Sequence, residues 1–268
     1  MTFREKLHLV TGSGAVGLCI GLDPDPARLP EGYSPDLQGI SSFLTEVISI
    51  STPHAAAYKV NTAFYEAWGA EGWALLEKIA HDLPESSLRI ADAKRGDIGN
   101  TAKRYAHAFL ERIPFDAITL NPYMGGDTLQ PFLRNPHKGA FVLALTTNPG
   151  SKDLQRFSDG KFNLYERVLD MISHWAPQGN LGAVVGATHP DELVKIRRAY
   201  PSVPLLIPGI GAQGGDAETV AQIAEDVQGE PLLVNVSRGI LYPDNDLDFQ
   251  ESIESACLDY KKQLKING

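Results

Sequence analysis

Three ionisable side chains, Asp92, Lys94 and Asp97, fall within the stretch Ile90-Ala-Asp-Ala-Lys-Arg-Gly-Asp-Ile-Gly-Asn-Thr101. An ammonium held between two carboxylates has its charged form favoured. Such a lysine can donate a proton but is a poor amine nucleophile, since Schiff-base chemistry needs a lysine whose charge is disfavoured. A surface salt bridge at a strand end would use the same residue types, so the surrounding elements must decide between the two.

Ile90 to Ala93 reads as the end of a buried strand, and regular alternation puts Asp92 and Lys94 on one side of it. Asp97 follows in the turn. From Gly99 the period becomes helical, with Ala102, Tyr105, Ala106, Phe109 and Ile113 in step and Asn100 or Thr101 as candidate caps.

The same strand-then-helix alternation runs through the chain. A short helix over 2–10 precedes Thr11-Gly-Ser-Gly-Ala-Val-Gly17, which formally matches a dinucleotide fingerprint but stands before a strand, Leu18–Leu22, instead of after one. Asp23-Pro-Asp-Pro26 ends that strand. Further strands are predicted at 55–61, 90–93, 117–121, 139–145, 181–185, 204–207 and 232–236. Helices are predicted at 38–51, 65–81, from 99, 162–175, from 190, from 217 and 249–264, with a polar, mobile loop at 151–160. Eight strand-then-helix units predict an α/β fold, a (β/α)₈ TIM barrel, as one domain over 1–268 with a short N-terminal helix. An open doubly wound sheet is the alternative.

Composition narrows the partners. A chain of 268 residues with 43% apolar content can bury a large core, and a net charge of −9 disfavours nucleic acid or an anionic membrane as the main partner. Cys19 and Cys257 form neither a disulfide framework nor a zinc spacing, and His54, His107, His137, His174 and His189 have no metal-ligand spacing. The mixed charge of the first ten residues does not read as a signal peptide, and no apolar run reaches the roughly 20 residues that span a bilayer. A soluble, cytoplasmic protein is expected.

Barrels collect their chemistry at the C-terminal ends of their strands. Asp23, Lys59, Asn61, Asp92, Lys94, Asp97, Thr147, Gln213 and Arg238 all lie at or just beyond such ends. Pro208-Gly-Ile-Gly-Ala-Gln-Gly-Gly215 after the seventh strand and Ser237-Arg-Gly239 after the eighth could together hold a phosphate dianion.

DAKRGDIGNTA, with LCIGLDPD and YKVN before it and ALTTNPGS, PGIGAQGGD and SRGI after it, resembles the orotidine 5′-phosphate decarboxylase family, in its longer bacterial form, from about Val16 to Tyr242. The resemblance implies decarboxylation of orotidine 5′-monophosphate to uridine 5′-monophosphate without metal or cofactor. It implies that Lys94 protonates C6 of the pyrimidine, with Asp92 and Asp97 holding its ammonium. It also implies a homodimer with shared sites, in which Asp97 and Thr101 reach across to the partner. Asp23, Lys59 and Thr101 would contact the ribose, Thr147 the base, and Gln213 and Arg238 the phosphate, with Asn61 beside Lys59 on the same strand face. Relatives commonly carry serine at the position of Thr147, and the shorter ones glycine at that of Ser237.

Two other readings use the same residues. A magnesium-dependent sugar-phosphate decarboxylase or aldolase would need an oxygen-ligand cluster around its metal. A non-catalytic phosphate-binding barrel would need Arg238 and Gln213 but not the Asp/Lys array.

Overall fold

The computed structural model describes residues 1–12, 16–211, 214–245 and 247–266. The chain runs α1 (Phe3–Thr11), β1 (Val16–Gly21), α2 (Leu37–Ser51), β2 (Ala57–Asn61), α3 (Ala63–Glu66), α4 (Gly69–Asp82), β3 (Leu88–Arg95), α5 (Gly99–Ala106) and β4 (Ala117–Leu120). It continues with α6 (Gln130–Leu133), β5 (Gly139–Leu145), α7 (Ser151–Leu154), α8 (Leu164–Trp175), β6 (Leu181–Val185), α9 (Pro190–Ala199) and β7 (Leu205–Ile207). The last elements are α10 (Ala217–Asp226), β8 (Leu232–Val236), α11 (Arg238–Leu241) and α12 (Phe249–Gln263). The eight strands pair in parallel, each with the next, and β8 closes on β1 through pairs such as Leu18 with Val234 and Cys19 with Asn235.

Alternation along the strands builds two cores. Outward residues such as Leu18, Ile20, Tyr58, Val60, Ile118 and Val142 pack beneath the helices. Inward residues Cys19, Ala57, Leu88, Ile90, Ala117, Phe141, Val184, Leu206 and Leu233 fill the barrel. The lower mouth is plugged by α1, whose buried Phe3 meets Phe141 edge-on with ring centroids 6.0 Å apart and whose Leu7 joins the same cluster. Burial of two such side chains contributes about 1.5–3 kcal/mol each. A capping box holds the start of this helix, with Thr2 accepting from the Glu5 N–H and Glu5 accepting from the Thr2 N–H.

Charge closes the same mouth. Lys6 Nζ donates to Asp116 Oδ2 at 2.8 Å, where the Arg89 backbone N–H also donates at 2.9 Å. Arg4 pairs with Glu230, and His8 Nε2 lies 2.9 Å from the second oxygen of that carboxylate.

Several predicted boundaries shift for local reasons. The second strand begins at Ala57, because Ala55 still donates back to Ser51 of α2. The helix predicted over 65–81 breaks at Gly69, whose φ of +65° lets the chain turn between α3 and α4. The helix predicted from Gly99 stays α-helical only to Ala106 and widens into a π-helix over His107–Arg112. Neither Asn100 nor Thr101 caps it, because the helix already begins at Gly99, with Ile98 at the cap position and no side-chain cap bond. Within 151–160 the chain forms α7, and α8 begins at Leu164, after an Asn163/Glu166 capping box, instead of at Phe162. Gly12 caps α1 and Gly17 lies inside β1, so those glycines bracket the entry to a strand; residues 13–15 of that motif lie outside the described set.

Candidate active site

The inward rows of the strands change character as they rise. Ala57 is followed on the same face by Lys59 and Asn61, Ile90 by Asp92, Ala117 by Thr119, and Leu233 by Asn235. Apolar side chains therefore fill the lower barrel and polar ones meet above them. They line a cavity of about 780 Å³ at the C-terminal ends of the strands.

Parallel register sets Asn61 beside Asp92 and Lys59 beside Ile90, which brings the lysine to the aspartate across adjacent strands. Lys59 Nζ donates to Asp92 Oδ2 at 2.9 Å and Lys94 Nζ donates to Asp92 Oδ1 at 2.6 Å. The Thr119 hydroxyl also donates to Oδ1, at 2.9 Å. Burial alone would raise the Asp92 carboxyl, but the Lys59 and Lys94 ammoniums override it and hold the group well below the usual carboxylate range. Burial likewise works against the charge of Lys59, and the Asp23 and Asp92 carboxylates outweigh it and push the ammonium up.

Lys94 shares the cavity side with Asp92, as alternation predicts, but not through a regular strand. Its φ is +47°, and the pairing of β3 with β4 shifts between Ala91 and Arg95. A lysine in the left-handed region costs about 1–2 kcal/mol. The irregularity turns the Lys94 side chain, 47% exposed, to the cavity while its tip rests on the buried Asp92.

Asp23, Asn61, Thr147 and Arg238 line the same cavity, so seven of the ten predicted site residues converge there. Asp23 Oδ1 and Ser237 Oγ are buried in its wall with no hydrogen-bond partner among the described residues. Asn61 Oδ1 accepts the Ala63 N–H at 3.2 Å, which fixes its amide at the start of α3. Thr147 and Ser237 each pack against a glycine. A Cβ on Gly186 would stand 2.4 Å from the Thr147 methyl, and one on Gly21 would stand 2.8 Å from the Ser237 Cβ.

Asp97 and Thr101 do not join the cavity of their own chain. Asp97 Oδ1 accepts the Ile98 N–H at 2.8 Å and makes no bond to Lys94, so among the described residues of one chain the Lys94 ammonium is held by Asp92 alone. Thr101 is exposed on the first turn of α5. Gln213 lies outside the described residues. The loop around it is shaped by Gly209, Gly211 and Gly214, all at positive φ, and by Gly215, where a Cβ would strike the Gly209 carbonyl and Ala187 at 2.6 Å.

Other cavity residues were not singled out from sequence: Thr119, Asn235, Gln155, Arg28 and Tyr242. Inward alternation above Ala117 and Leu233 carries the signal for the first two. Gln155 follows α7; its Oε1 accepts the Thr146 N–H at 2.7 Å, and Arg156 pairs with Glu192 of α9. This ties the segment after β5 over the cavity. Arg28 lies 4.7 Å over the Tyr242 ring, whose hydroxyl accepts the Asp25 N–H at 2.7 Å.

Residues 17–248 match the model of a family described as orotidine 5′-phosphate decarboxylase / HUMPS. The orotidine 5′-phosphate decarboxylase of Roseiflexus sp. (strain RS-1) is 45% identical over 261 residues, 96% of this chain and 95% of that protein. That of Dehalococcoides mccartyi (strain CBDB1) is 44% identical over 261 residues, with the same coverage of 96% and 95%. Among solved structures, Leishmania donovani OMP decarboxylase superposes with a TM-score of 0.84 at 35% identity, over 99% of this chain and 98% of that one.

Proposed function

The chain belongs to the orotidine 5′-phosphate decarboxylase / HUMPS family, and on that premise we propose that it decarboxylates orotidine 5′-phosphate to uridine 5′-phosphate, with Lys94 supplying the proton to C6. The observation that carries this reading is the Lys59–Asp92–Lys94 array, whose outer ammonium reaches the cavity while its inner one is buried. Loss of carbon dioxide leaves an electron pair on a ring carbon with no electron sink. A fixed ammonium beside that carbon stabilises the developing charge and then transfers a proton to it, forming the C6–H bond.

Asp92 orients the ammonium and keeps it charged. A carboxylate facing the departing carboxylate also raises the ground state. Orphaned Asp23 Oδ1 fits a ribose hydroxyl donor. Arg238 suits the phosphate, as Gln213 does by resemblance to the family, and phosphate binding positions the ring on Lys94. Thr147 and Asn61 complete the wall toward the base and ribose.

In this reading Asp97 and Thr101 act in the site of a second copy. Their separation from their own cavity supports that role, as does the exposed apolar surface on the loops around them, with Ile98 at 59% and Tyr123 at 77%. The whole chain acts as one barrel domain, and a nucleotide is its small-molecule partner.

The test is ultraviolet-monitored loss of orotidine 5′-phosphate, with and without excess chelator. Equal loss in both supports the metal-free mechanism, loss only without chelator favours a metal-dependent relative, and no loss from folded protein overturns the activity. For the shared site, inactive Lys94→Ala and inactive Asp97→Ala proteins regain activity on mixing through hybrid dimers. No recovery after verified subunit exchange would refute it.

A further inference from the structure

The irregularity that presents Lys94 needs something to hold it. Ala91 of β3 pairs with Ile118 of β4 and Arg95 with Leu120, so Asp92, Ala93 and Lys94 together face the single residue Thr119. Three residues opposite one leave the Lys94 N–H without its ladder carbonyl. It donates instead to the Thr119 hydroxyl, at 3.0 Å.

Its two partners fix the polarity of the hydroxyl. Thr119 has one proton to give; the Lys94 N–H can only donate and the ionised Asp92 can only accept, so the proton points to Asp92 Oδ1 while a lone pair takes the Lys94 N–H. The same oxygen accepts the Lys94 ammonium. The bonds form a closed ring that runs from the Lys94 main chain through Thr119 and Asp92 to the tip of the Lys94 side chain. Thr119 is 1% exposed and β-branched, so its rotamer is held by packing and the ring has little freedom.

We propose that Thr119 is a positioning residue for decarboxylation, acting through Lys94 by fixing both its strained backbone and its ammonium. The kinetic part rests on the decarboxylase reading above. The conformational part does not. A valine has the same shape but would leave the Lys94 N–H unpaired and remove one donor from Asp92, whereas serine keeps both bonds.

The experiment compares wild type with Thr119→Val and Thr119→Ser by steady-state kinetics on orotidine 5′-phosphate and by crystallography. Thr119→Val is expected to lose about 10²-fold in kcat, the scale of a 1 Å misplacement, with KM within about threefold. Thr119→Ser is expected to keep at least about a third of kcat, because the hydroxyl is retained. Crystals of Thr119→Val should show Lys94 out of its positive-φ conformation and its ammonium displaced from Asp92. A valine variant with kcat near wild type, equal losses for serine and valine, or Lys94 unmoved in the crystal would each overturn the proposal. Should valine prevent folding, Thr119→Cys replaces it in both arms; its weak thiol donor predicts an intermediate kcat, and full activity with Lys94 unmoved would refute the ring. Wild type inactive on this nucleotide would instead sink the decarboxylase reading, and the crystallographic comparison would still decide the role of Thr119.

Discussion

The two mouths of the barrel use the same ionic chemistry to opposite ends. At the lower mouth Asp116 is met by Lys6 and Arg89, and Glu230 by Arg4 and His8, and these pairs tie α1 over its buried Phe3 and Leu7. At the upper mouth one carboxylate, Asp92, holds two lysines beside an open cavity, and one of those lysines adopts a left-handed backbone. The lower charges close a surface. The upper ones keep an ammonium available at a fixed point. An ion pair therefore shows its role by what it leaves accessible: the lower pairs finish a seam, and the upper array ends at a ligand-sized space.

Substitutions at the two mouths should separate cleanly. The largest effect is expected for Lys94→Ala, a loss of at least 10²–10³ in kcat, the scale of one removed electrostatic group; product nucleotide should still bind by calorimetry. Unchanged turnover would dissolve the distinction between the mouths. Lys59→Met removes a buried partner from Asp92 and should destabilise the fold by about 3–5 kcal/mol in urea denaturation. A loss below about 1 kcal/mol would mean that the pair behaves like a surface bridge.

At the lower mouth, Asp116→Asn should cost about 1–3 kcal/mol, since it weakens hydrogen bonds to charged groups, and kcat should not change. A fall in kcat would show that the mouths are coupled through the barrel.

The smallest effect is in pH dependence. Asp92 is depressed below its unfolded value of about 4. Its contribution is therefore present above about pH 4 and is lost as pH falls toward the folded value. Lys59 is raised, so its contribution is complete below about pH 10.4 and is lost as pH rises through the folded value. Lys59→Met should flatten both limbs of a stability-against-pH curve relative to wild type. Parallel curves would show that the pair is not the source of either slope.

Much of this was legible in residue order, and the exceptions share a cause. Strand ends can be read from where apolar runs stop, and seven of the polar residues found there do converge on the cavity. Periodicity assumes a regular strand, so it puts Lys94 beside Asp92 but carries no sign of the positive φ that brings them together. Thr119 lies inside β4 and not at its end, so strand ends do not mark it, although alternation from Ala117 marks it as inward. Asp97 and Thr101 stand outside the cavity of their own chain, which position just beyond a strand end does not reveal. The break at Gly69 is a local turn at positive φ, and the π-helix over His107–Arg112 follows α5 without a gap, so neither interrupts the helical spacing of the apolar residues.

Closure of β8 on β1 has a consequence during synthesis. Cys19 and Asn235, side by side in the finished barrel, are 216 residues apart. At about 5–20 residues per second, roughly 10–40 s pass between their emergence from the ribosome. Throughout that interval Val16–Gly21, buried along its whole length in the finished fold, has one edge unpaired. The nascent chain therefore carries an adhesive strand for most of its translation, and it is released from that hazard only when its eighth strand arrives.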